Sequence, residues 1–191
     1  MVTADDVVAA LGRVLRATED AQAELDALDA VSGDGDCGVT MVMGWRAVVA
    51  ALDSAPPTTP DGALRTAAEA FAAVGGSAGP LWGTALLRAS RALGDGGTPA
   101  AAAQAAVDGM CERGRCAEGD RTVVDAMAPA ARALAGGGSL AEAAAAAANG
   151  AAETARLTPR RGRDARAPER VRGHVDAGAR AAAVFWEALT L

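Results

Sequence analysis

The residues of this sequence best suited to chemistry are three aspartates in one short stretch, DAVSGDGDCG at 29–38. Asp29, Asp34 and Asp36 share it with three glycines and no positive charge. Carboxylates this close repel one another, so a divalent cation is the simplest partner that would hold them together. The few carboxylates and the nearby glycine loops favour Mg²⁺, which shares its shell with water and substrate phosphates. The alternative is a solvated acidic loop that caps a helix.

A calcium loop of the EF-hand type does not fit this stretch. Such a loop needs a bidentate Glu at its twelfth position. Counted from Asp34 the twelfth residue is Trp45, and counted from Asp29 it is Thr40. We therefore do not expect an EF-hand here.

A second stretch, GGSAGPLWGT at 75–84, is a candidate anion site. Gly75, Gly76 and Ser77 precede a predicted helix whose first turn can hold Pro80. Successive backbone N–H groups, a hydroxyl and a helix N-terminus favour a bound anion. The alternative use of these glycines is close packing between helices.

Two later stretches also place polar side chains beside predicted helices. Asp120, in GDRT at 119–122, is placed to cap a helix that we expect to begin near residue 121. The segment 156–172 holds seven of the eighteen arginines against two acids, a local charge of +5. Such a run is typical of a solvated or RNA-binding arm. Because it leads to His174 and to Asp176 at a helix start, it could instead close over a polyphosphate.

Helices must position all of these loops. Alanine dominates, Ile and Tyr are absent and aromatic residues make up 3%, so the composition predicts an all-α chain. Apolar residues at helical spacing predict a first helix over 4–28 with Thr3 as its N-cap. Seven more helices are predicted over 39–52, 61–74, 80–93, 98–114, 121–135, 139–155 and 176–190. The mostly short connections predict antiparallel, up-and-down neighbours, with a core that includes Met41, Met43, Trp45, Phe185 and Trp186.

Length, charge and residue usage bound the function. A chain of 191 residues predicts one domain over 1–191, and the net charge of -6 argues against a nucleic-acid binder. There is no lysine, which excludes a P-loop and a Schiff-base lysine. The three cysteines have no paired C-x-x-C spacing, so we expect free thiols. The acidic N-terminal stretch and the absence of a long apolar run favour a cytoplasmic protein without a membrane span.

Four stretches, in order, resemble the dihydroxyacetone kinase nucleotide-binding family, known as DhaL or the DAK2 domain. They read LDAVSGDGDCGVTM at 28–41, GGSAGPLWGT at 75–84, GDRTVVDAMAPA at 119–130 and GRDARAPERVRGHVDAGA at 162–179. The resemblance spans nearly the whole chain. It implies an eight-helix antiparallel barrel with ADP or ATP at one end.

The family pattern also implies a set of site residues. Asp29, Asp34 and Asp36 would hold two Mg²⁺ ions that bridge the nucleotide phosphates. Arg163 and Arg170 match the arginines of the closing segment and would act in catalysis. The positions that match the nucleotide contacts are Cys37, Gly38, Val39, Thr40, Ser77, Ala78, Gly114, Thr122, Val123, Arg163, Asp176, Ala177 and Gly178.

The resemblance further implies partners. The family's substrate is a short ketose such as dihydroxyacetone, held on a histidine of a separate ketose-binding kinase subunit or domain. The phosphate comes either from a phosphocarrier that recharges bound ADP or from exchanging ATP, and a chain of this length favours the first. Magnesium ions and arginines could supply the charge neutralisation that phosphoryl transfer needs without lysine.

The sequence departs from the family pattern at three places. Cys37 stands where the family commonly has His, and Ala177 stands where it has Pro. At 162–171 the chain reads GRDARAPERV, where the family usually has a stretch close to GRASYLGERS. These changes leave open a diverged nucleotide-binding regulator with little or no transfer activity. A purely structural helical protein is a third reading, but it does not explain why acids, glycines and arginines are confined to loops.

Overall fold

The computed structural model describes residues 2–191, which form eight α-helices, two short 3-10 segments and no strand. The helices are α1 (Ala4–Asp29), α2 (Cys37–Ser54), α3 (Pro60–Ala72), α4 (Ala78–Gly94), α5 (Pro99–Gly114), α6 (Val124–Ala135), α7 (Leu140–Glu153) and α8 (Ala177–Ala188). The 3-10 segments, Thr154–Arg156 and Asp164–Arg166, lie between α7 and α8. The predicted all-α fold class is confirmed.

The helices pack in the order of the chain. Each helix contacts the next one, and α8 contacts α1 as well as α7, so the packing order closes into a ring. Connections of four or five residues, such as those between α3 and α4 or between α6 and α7, reverse the chain direction from one helix to the next. The odd-numbered helices therefore begin at one end of the ring and the even-numbered ones at the other.

An aromatic cluster fills the core. The ring of the fully buried Trp45 lies with its centroid 4.8 Å from that of Phe71, 5.4 Å from that of Trp82 and 5.7 Å from that of Phe185. Most other core residues are alanines, whose small side chains let neighbouring helices approach closely. One core prediction is wrong, because Met43 lies on the outer face of α2 and is 58% exposed.

The two ends of the ring differ in how the helices begin. At the end where α1, α3, α5 and α7 start, a hydroxyl side chain caps each helix: Thr3, Thr59, Thr98 and Ser139. We call this the capped end. At the opposite end, the N-cap residues of α2, α4 and α6 make no side-chain bond to their helices, whereas Asp176 caps α8. We call it the aspartate end, because the loop of 30–36 lies there.

The start of α6 differs from the sequence prediction. The helix begins at Val124 rather than near residue 121, because Arg121 has a left-handed backbone with φ of 62°. Asp120 does not cap the helix either: its carboxylate accepts the N–H of Ala117 at 3.0 Å. Instead the carboxylate of Asp125, in the first turn of α6, accepts the N–H groups of Gly119 at 2.5 Å and Thr122 at 2.7 Å.

None of the helices within residues 2–191 has both the length and the apolar character needed to cross a membrane.

Candidate functional site

Three carboxylates converge at the aspartate end. Asp29 ends α1, and Asp34 and Asp36 lie in the loop before α2. One carboxylate oxygen from each residue lies within 4.8 Å of the other two. The loop is folded back by Asp29, whose Oδ2 accepts the N–H of Gly35 at 2.8 Å and that of Asp36 at 3.2 Å. Gly35 has φ of 73°, which this tight turn requires.

Asp26 is a site residue that the sequence analysis missed. Its Oδ1 accepts the N–H groups of Gly38 at 2.7 Å and Val39 at 3.1 Å, across the start of α2. Asp26 thereby does the work of an N-cap, while the N-cap residue Asp36 makes no capping bond and contributes a carboxylate oxygen to the cluster. The sequence contains a pattern that could have indicated Asp26, because it lies one turn before Asp29 on α1 and therefore on the same face of the helix.

The charges in the cluster are only partly balanced. Arg163 Nη1 lies 2.5 Å from Asp34 Oδ1 and holds the pKa of Asp34 below its ordinary value. Partial desolvation and the nearby charges of Asp34 and Asp29 raise the pKa of Asp36. One guanidinium thus faces three carboxylates. An oxygen-only donor set with excess negative charge fits a hard divalent cation such as Mg²⁺.

Cys37, which follows Asp36, contributes no atom to the carboxylate cluster. Burial, followed by the negative charges of Asp29 and Asp176, raises the pKa of its thiol to about 12. Sulfur is in any case a poor ligand for Mg²⁺, which prefers oxygen. Cys37 instead packs against the hydrophobic core at the start of α2, beside Gly38, which is buried.

The second glycine stretch leads into α4 at the same end. Ser77 is the N-cap residue, is exposed and makes no capping hydrogen bond, and Ala78 begins the helix. Gly76 has φ of 75°. The first N–H groups of α4 are therefore not satisfied by a side chain of the turn, which is the condition for an anion site at a helix N-terminus.

Two further predicted positions lie close to these loops. A Cβ on Gly114, the last residue of α5, would approach Cys116 Sγ to 2.9 Å and Leu81 Cδ2 of α4 to 3.2 Å. A Cβ on Gly178, in the first turn of α8, would lie 3.6 Å from the backbone nitrogen of Val123. The end of α5 thus adjoins the start of α4, and the start of α6 adjoins the start of α8.

The remaining predicted positions are half-buried or exposed at the same helix ends. Thr40 and Val39 lie in the first turn of α2, and Ala177 begins α8. Thr122 accepts the N–H of Val124 at 3.3 Å through its hydroxyl. Arg170 is exposed, and its guanidinium has no ion-pair partner among residues 2–191, so of the two predicted catalytic arginines only Arg163 is brought to the carboxylates.

Asp176 caps α8 and is strongly perturbed. Its Oδ1 accepts the N–H of Ala179 at 2.8 Å, and its own N–H donates to the hydroxyl of Thr154 at 2.8 Å. Burial raises the pKa of Asp176 to about 6, against the opposing effects of the Ala179 hydrogen bond and of Arg121. Carboxyl groups with a raised pKa occur at functional sites and also in structural ion-pair networks such as that of Asp176 with Arg121.

Arg121 is the second residue that the sequence analysis missed. Its side chain is only 2% exposed, and its Nη1 pairs with Asp164 while its Nη2 donates to the carbonyl of His174 at 2.9 Å. Asp176 Oδ2 lies 3.8 Å from the same Nη1, and Nε has no hydrogen-bond partner. The Arg121 guanidinium is thus a cation buried between the loop 115–123 and the arginine-rich segment 156–175, which we call the arginine segment.

Comparison with known proteins identifies the family. The DAK2 domain model matches residues 31–191. The chain is 31% identical over 170 residues to the "PEP-dependent dihydroxyacetone kinase 1, ADP-binding subunit DhaL" of Listeria innocua, covering 86% of this chain and 84% of that protein. It is 40% identical over 134 residues to the D-erythrulose kinase of Mycolicibacterium smegmatis, covering 64% of this chain. The chain spans only 23% of the length of that kinase and 24% of the L-erythrulose 1-kinase of the same organism.

Solved structures agree with the sequence match. The fold superposes on the crystal structure of the dihydroxyacetone kinase of C. freundii with a TM-score of 0.81 and 30% identity, over 96% of this chain and 33% of that one. The same enzyme in complex with AMP-PNP and Mg²⁺ matches with a TM-score of 0.81 and 29% identity. From the domain match and the similarity to the Listeria subunit, the chain belongs to the DAK2 domain family.

Proposed function

We propose that this chain is a single-domain, nucleotide-binding subunit of a dihydroxyacetone-type kinase. It binds ADP or ATP with two Mg²⁺ ions and transfers a phosphoryl group to a short ketose held on a partner subunit of the ketose-binding type. A phosphocarrier partner would recharge bound ADP. The similarity to an ADP-binding DhaL subunit supports this reading, as does the likeness to a kinase crystallised with AMP-PNP and Mg²⁺.

The observation that carries the proposal is the carboxylate cluster of Asp29, Asp34 and Asp36. Three carboxylate oxygens within 4.8 Å, with one arginine opposite, leave a negative charge that a divalent cation would neutralise. Magnesium seldom occupies a cage made of protein alone and usually takes phosphate oxygens as further ligands. A cluster of this kind therefore favours a nucleotide polyphosphate beside it.

The proposed nucleotide contacts come from the loops and helix starts around the cluster. Phosphates would lie against the start of α4, where backbone N–H groups without a capping side chain and the Ser77 hydroxyl are donors, and beside the start of α2, whose Gly38 and Val39 N–H groups are held by Asp26. The adenine would lie between the end of α5 and the starts of α6 and α8. The proposed binding residues are Cys37, Gly38, Val39, Thr40, Ser77, Ala78, Gly114, Thr122, Val123, Arg163, Asp176, Ala177 and Gly178.

Phosphoryl transfer needs positioning and charge neutralisation more than covalent chemistry. When bound, the magnesium ions would neutralise phosphate charge. The chain's own contribution is Arg163, the guanidinium next to the carboxylates, which would turn toward the transferred group when a cation replaces it at Asp34. Arg170 is proposed to act from the same segment once the ketose subunit is docked.

The proposal is tested by the nucleotide content of freshly purified, undialysed protein. We expect ADP and Mg²⁺ among the small molecules released on denaturation, measured by mass and absorbance with metals counted alongside. Asp36→Asn should weaken Mg²⁺-dependent ADP binding by more than about tenfold, which is about 1.4 kcal/mol. Asp53→Asn, at an exposed position near the end of α2, is the matched control. Equal ADP affinity in both variants would contradict the proposal.

A second candidate is a nucleotide-binding regulator without transfer activity. The observation that favours it is the altered segment 164–168, which differs from the family pattern beside Arg163. Both candidates predict the same nucleotide binding, so only turnover separates them. Phosphorylation of dihydroxyacetone in the presence of a cognate ketose-binding subunit selects the kinase, and tight ADP binding without turnover selects the regulator.

A further inference from the structure

Several contacts attach the arginine segment 156–175 to the rest of the protein, among them the bond from the Arg160 N–H to the Asp120 carbonyl at 3.1 Å, and one side chain, Asp164, contacts two other loops at once. The hydroxyl of Ser32, in the aspartate loop, donates to Asp164 Oδ1, and Arg121, in the loop 115–123, pairs with Asp164 Oδ2. A single carboxylate thus joins three loops that are separated by 43 and 132 residues in the chain. We propose that Asp164 is a positioning residue that holds this segment closed over the nucleotide site.

Burial distinguishes Asp164 from the other acid of the segment, Glu169. Its side chain is 22% exposed, and that of its partner Arg121 is 2% exposed. Glu169, the other acid in the segment, pairs with Arg172 in the next turn of the chain, and these two side chains are 76% and 78% exposed. An exposed ion pair within one loop does not attach that loop to the rest of the protein. A charged hydrogen bond to a buried arginine is much stronger.

The buried arginine, Arg121, explains why Asp164 is held in this position. The Arg121 side chain is buried, and its other hydrogen bond goes to the His174 carbonyl, at 2.9 Å. Without Asp164, its remaining anionic neighbour is Asp176, whose oxygen is 3.8 Å away. A buried guanidinium that lacks a close anion is costly, so the closed position of residue 164 is strongly favoured.

The position of Asp164 determines that of Arg163. The two residues are adjacent in the chain. Arg163 Nη1 donates to Asp34 Oδ1 at 2.5 Å, and Asp164 accepts a hydrogen bond from Ser32, which lies two residues before Asp34 in the aspartate loop. The segment is therefore pinned on both sides of one peptide bond. Arg163 is exposed, and its long side chain would lose its placement if the backbone beside it moved freely.

The first test measures, in the absence of nucleotide, how firmly the arginine segment is held against the rest of the protein. Trypsin cleaves after arginine, and cleavage after Arg163 and Arg166, the arginines nearest to Asp164 in the chain, requires this segment to leave the surface. Asp164→Asn should speed cleavage there by about tenfold, the effect of losing a charged hydrogen bond. Glu169→Gln, in the same segment, should leave the rate unchanged. Ser32→Ala should raise it by a smaller factor and leave the thermal midpoint unchanged, because it keeps the Arg121–Asp164 pair.

The second test rests on the proposed function and measures the dissociation rate of Mg·ADP. Asp164→Asn and Ser32→Ala should both release ADP faster than the wild type, while Glu169→Gln should not. If the wild type binds no ADP, the proposed function fails but the tryptic test still decides the role of Asp164. If Asp164→Asn and Glu169→Gln are cleaved at the same rate in the segment, the proposal is wrong. Faster cleavage after Arg13 and Arg88 in the helices as well would mean general unfolding, and would also overturn it.

Discussion

The two ends of the helix ring differ in what accepts the unpaired N–H groups at the starts of the helices. At the capped end, the hydroxyls of Thr3, Thr59, Thr98 and Ser139 accept helix N–H groups at 3.1 to 3.2 Å. At the aspartate end, the starts of α2, α4 and α6 lack such caps. Capping satisfies orphan donors within the chain. Asp26 accepts the first N–H groups of α2 from α1, while the start of α4 leaves donors that a bound anion can satisfy.

The capped end and the aspartate end also differ in their charged groups. The capped end has small polar loops, whereas the aspartate end gathers three carboxylates, a buried arginine and a left-handed backbone turn. Crowded carboxylates and strained turns cost stability in the free protein and favour ligand binding in return. Under the proposed function, the capped end serves folding and the aspartate end serves binding. The variants below compare one residue at each end.

The largest effect is expected for the buried cation. Arg121→Met should lower the free energy of unfolding by about 3–5 kcal/mol, because it leaves Asp164 without its buried partner. Arg13→Met is the comparison at the capped end, where Nε donates to the Ala188 carbonyl at 3.2 Å, and should cost about 1 kcal/mol. Urea unfolding followed by circular dichroism measures both.

A second Arg121 variant separates charge from backbone strain. Arg121→Gly also removes the ion pair but relieves the left-handed backbone, so it should be less destabilising than Arg121→Met. The role given to the buried ion pair would be wrong if Arg121→Met cost no more than Arg13→Met.

The next effect concerns close packing of the helices. Gly38 is buried in α2, and a Cβ there would fall on the Gln22 carbonyl and approach Asp26 Oδ1 to 2.9 Å. Gly38→Ala should therefore push α2 away from α1 and cost about 1–3 kcal/mol, with loss of Mg²⁺-dependent ADP binding.

The capped end offers a matched control for Gly38. A Cβ on Gly94, at the end of α4, would lie 3.5 Å from its nearest neighbour, an ordinary contact. Gly94→Ala should be neutral or slightly stabilising because alanine favours the helix. Thermal unfolding and ADP titration distinguish the two variants, and equal behaviour would refute the close-packing argument.

The sequence allowed the capped end to be predicted more fully than the aspartate end. Thr3 was predicted as an N-cap because capping is local, acting over three residues. The capping role of Asp26 and the burial of Arg121 were missed because their partners lie 12 and 43 residues away. The start of α6 was misplaced for a related reason, since no local pattern predicts a left-handed arginine. Tertiary contacts, not propensity, decide such positions.

The pH dependence of stability should have opposite signs at the two ends. Asp176 has a pKa of about 6 in the folded protein against 3.8 ordinarily, so the folded state binds more protons between these values. Its contribution to stability is therefore lost as the pH rises from about 4 to about 6, with a slope of at most about 1.4 kcal/mol per pH unit. Asp176→Asn keeps the cap and should become more stable relative to the wild type as the pH rises.

Asp6 provides the opposite case at the capped end. Hydrogen bonds from the backbone and side chain of Thr3 lower its pKa, so its contribution is present above pH 3.8 and is lost as the pH falls. Asp6→Asn should therefore lose stability relative to the wild type above pH 4 and match it in stronger acid. Thermal midpoints measured from pH 3 to pH 8 give both differences. Parallel curves for the two variants would refute the assignment of opposite shifts.

The smallest effect comes from the caps themselves. Thr98→Ala removes the hydrogen bond from the Ala101 N–H, 3.2 Å long, and should cost about 1 kcal/mol of stability without changing ADP affinity. Ser77→Ala occupies the equivalent N-cap position of α4 but removes no capping bond, so stability should change by less than about 0.5 kcal/mol. ADP should bind more weakly, because the hydroxyl is a proposed phosphate donor. A stability loss in Ser77→Ala as large as in Thr98→Ala would mean that both ends are capped alike, and the division between folding and binding would fail.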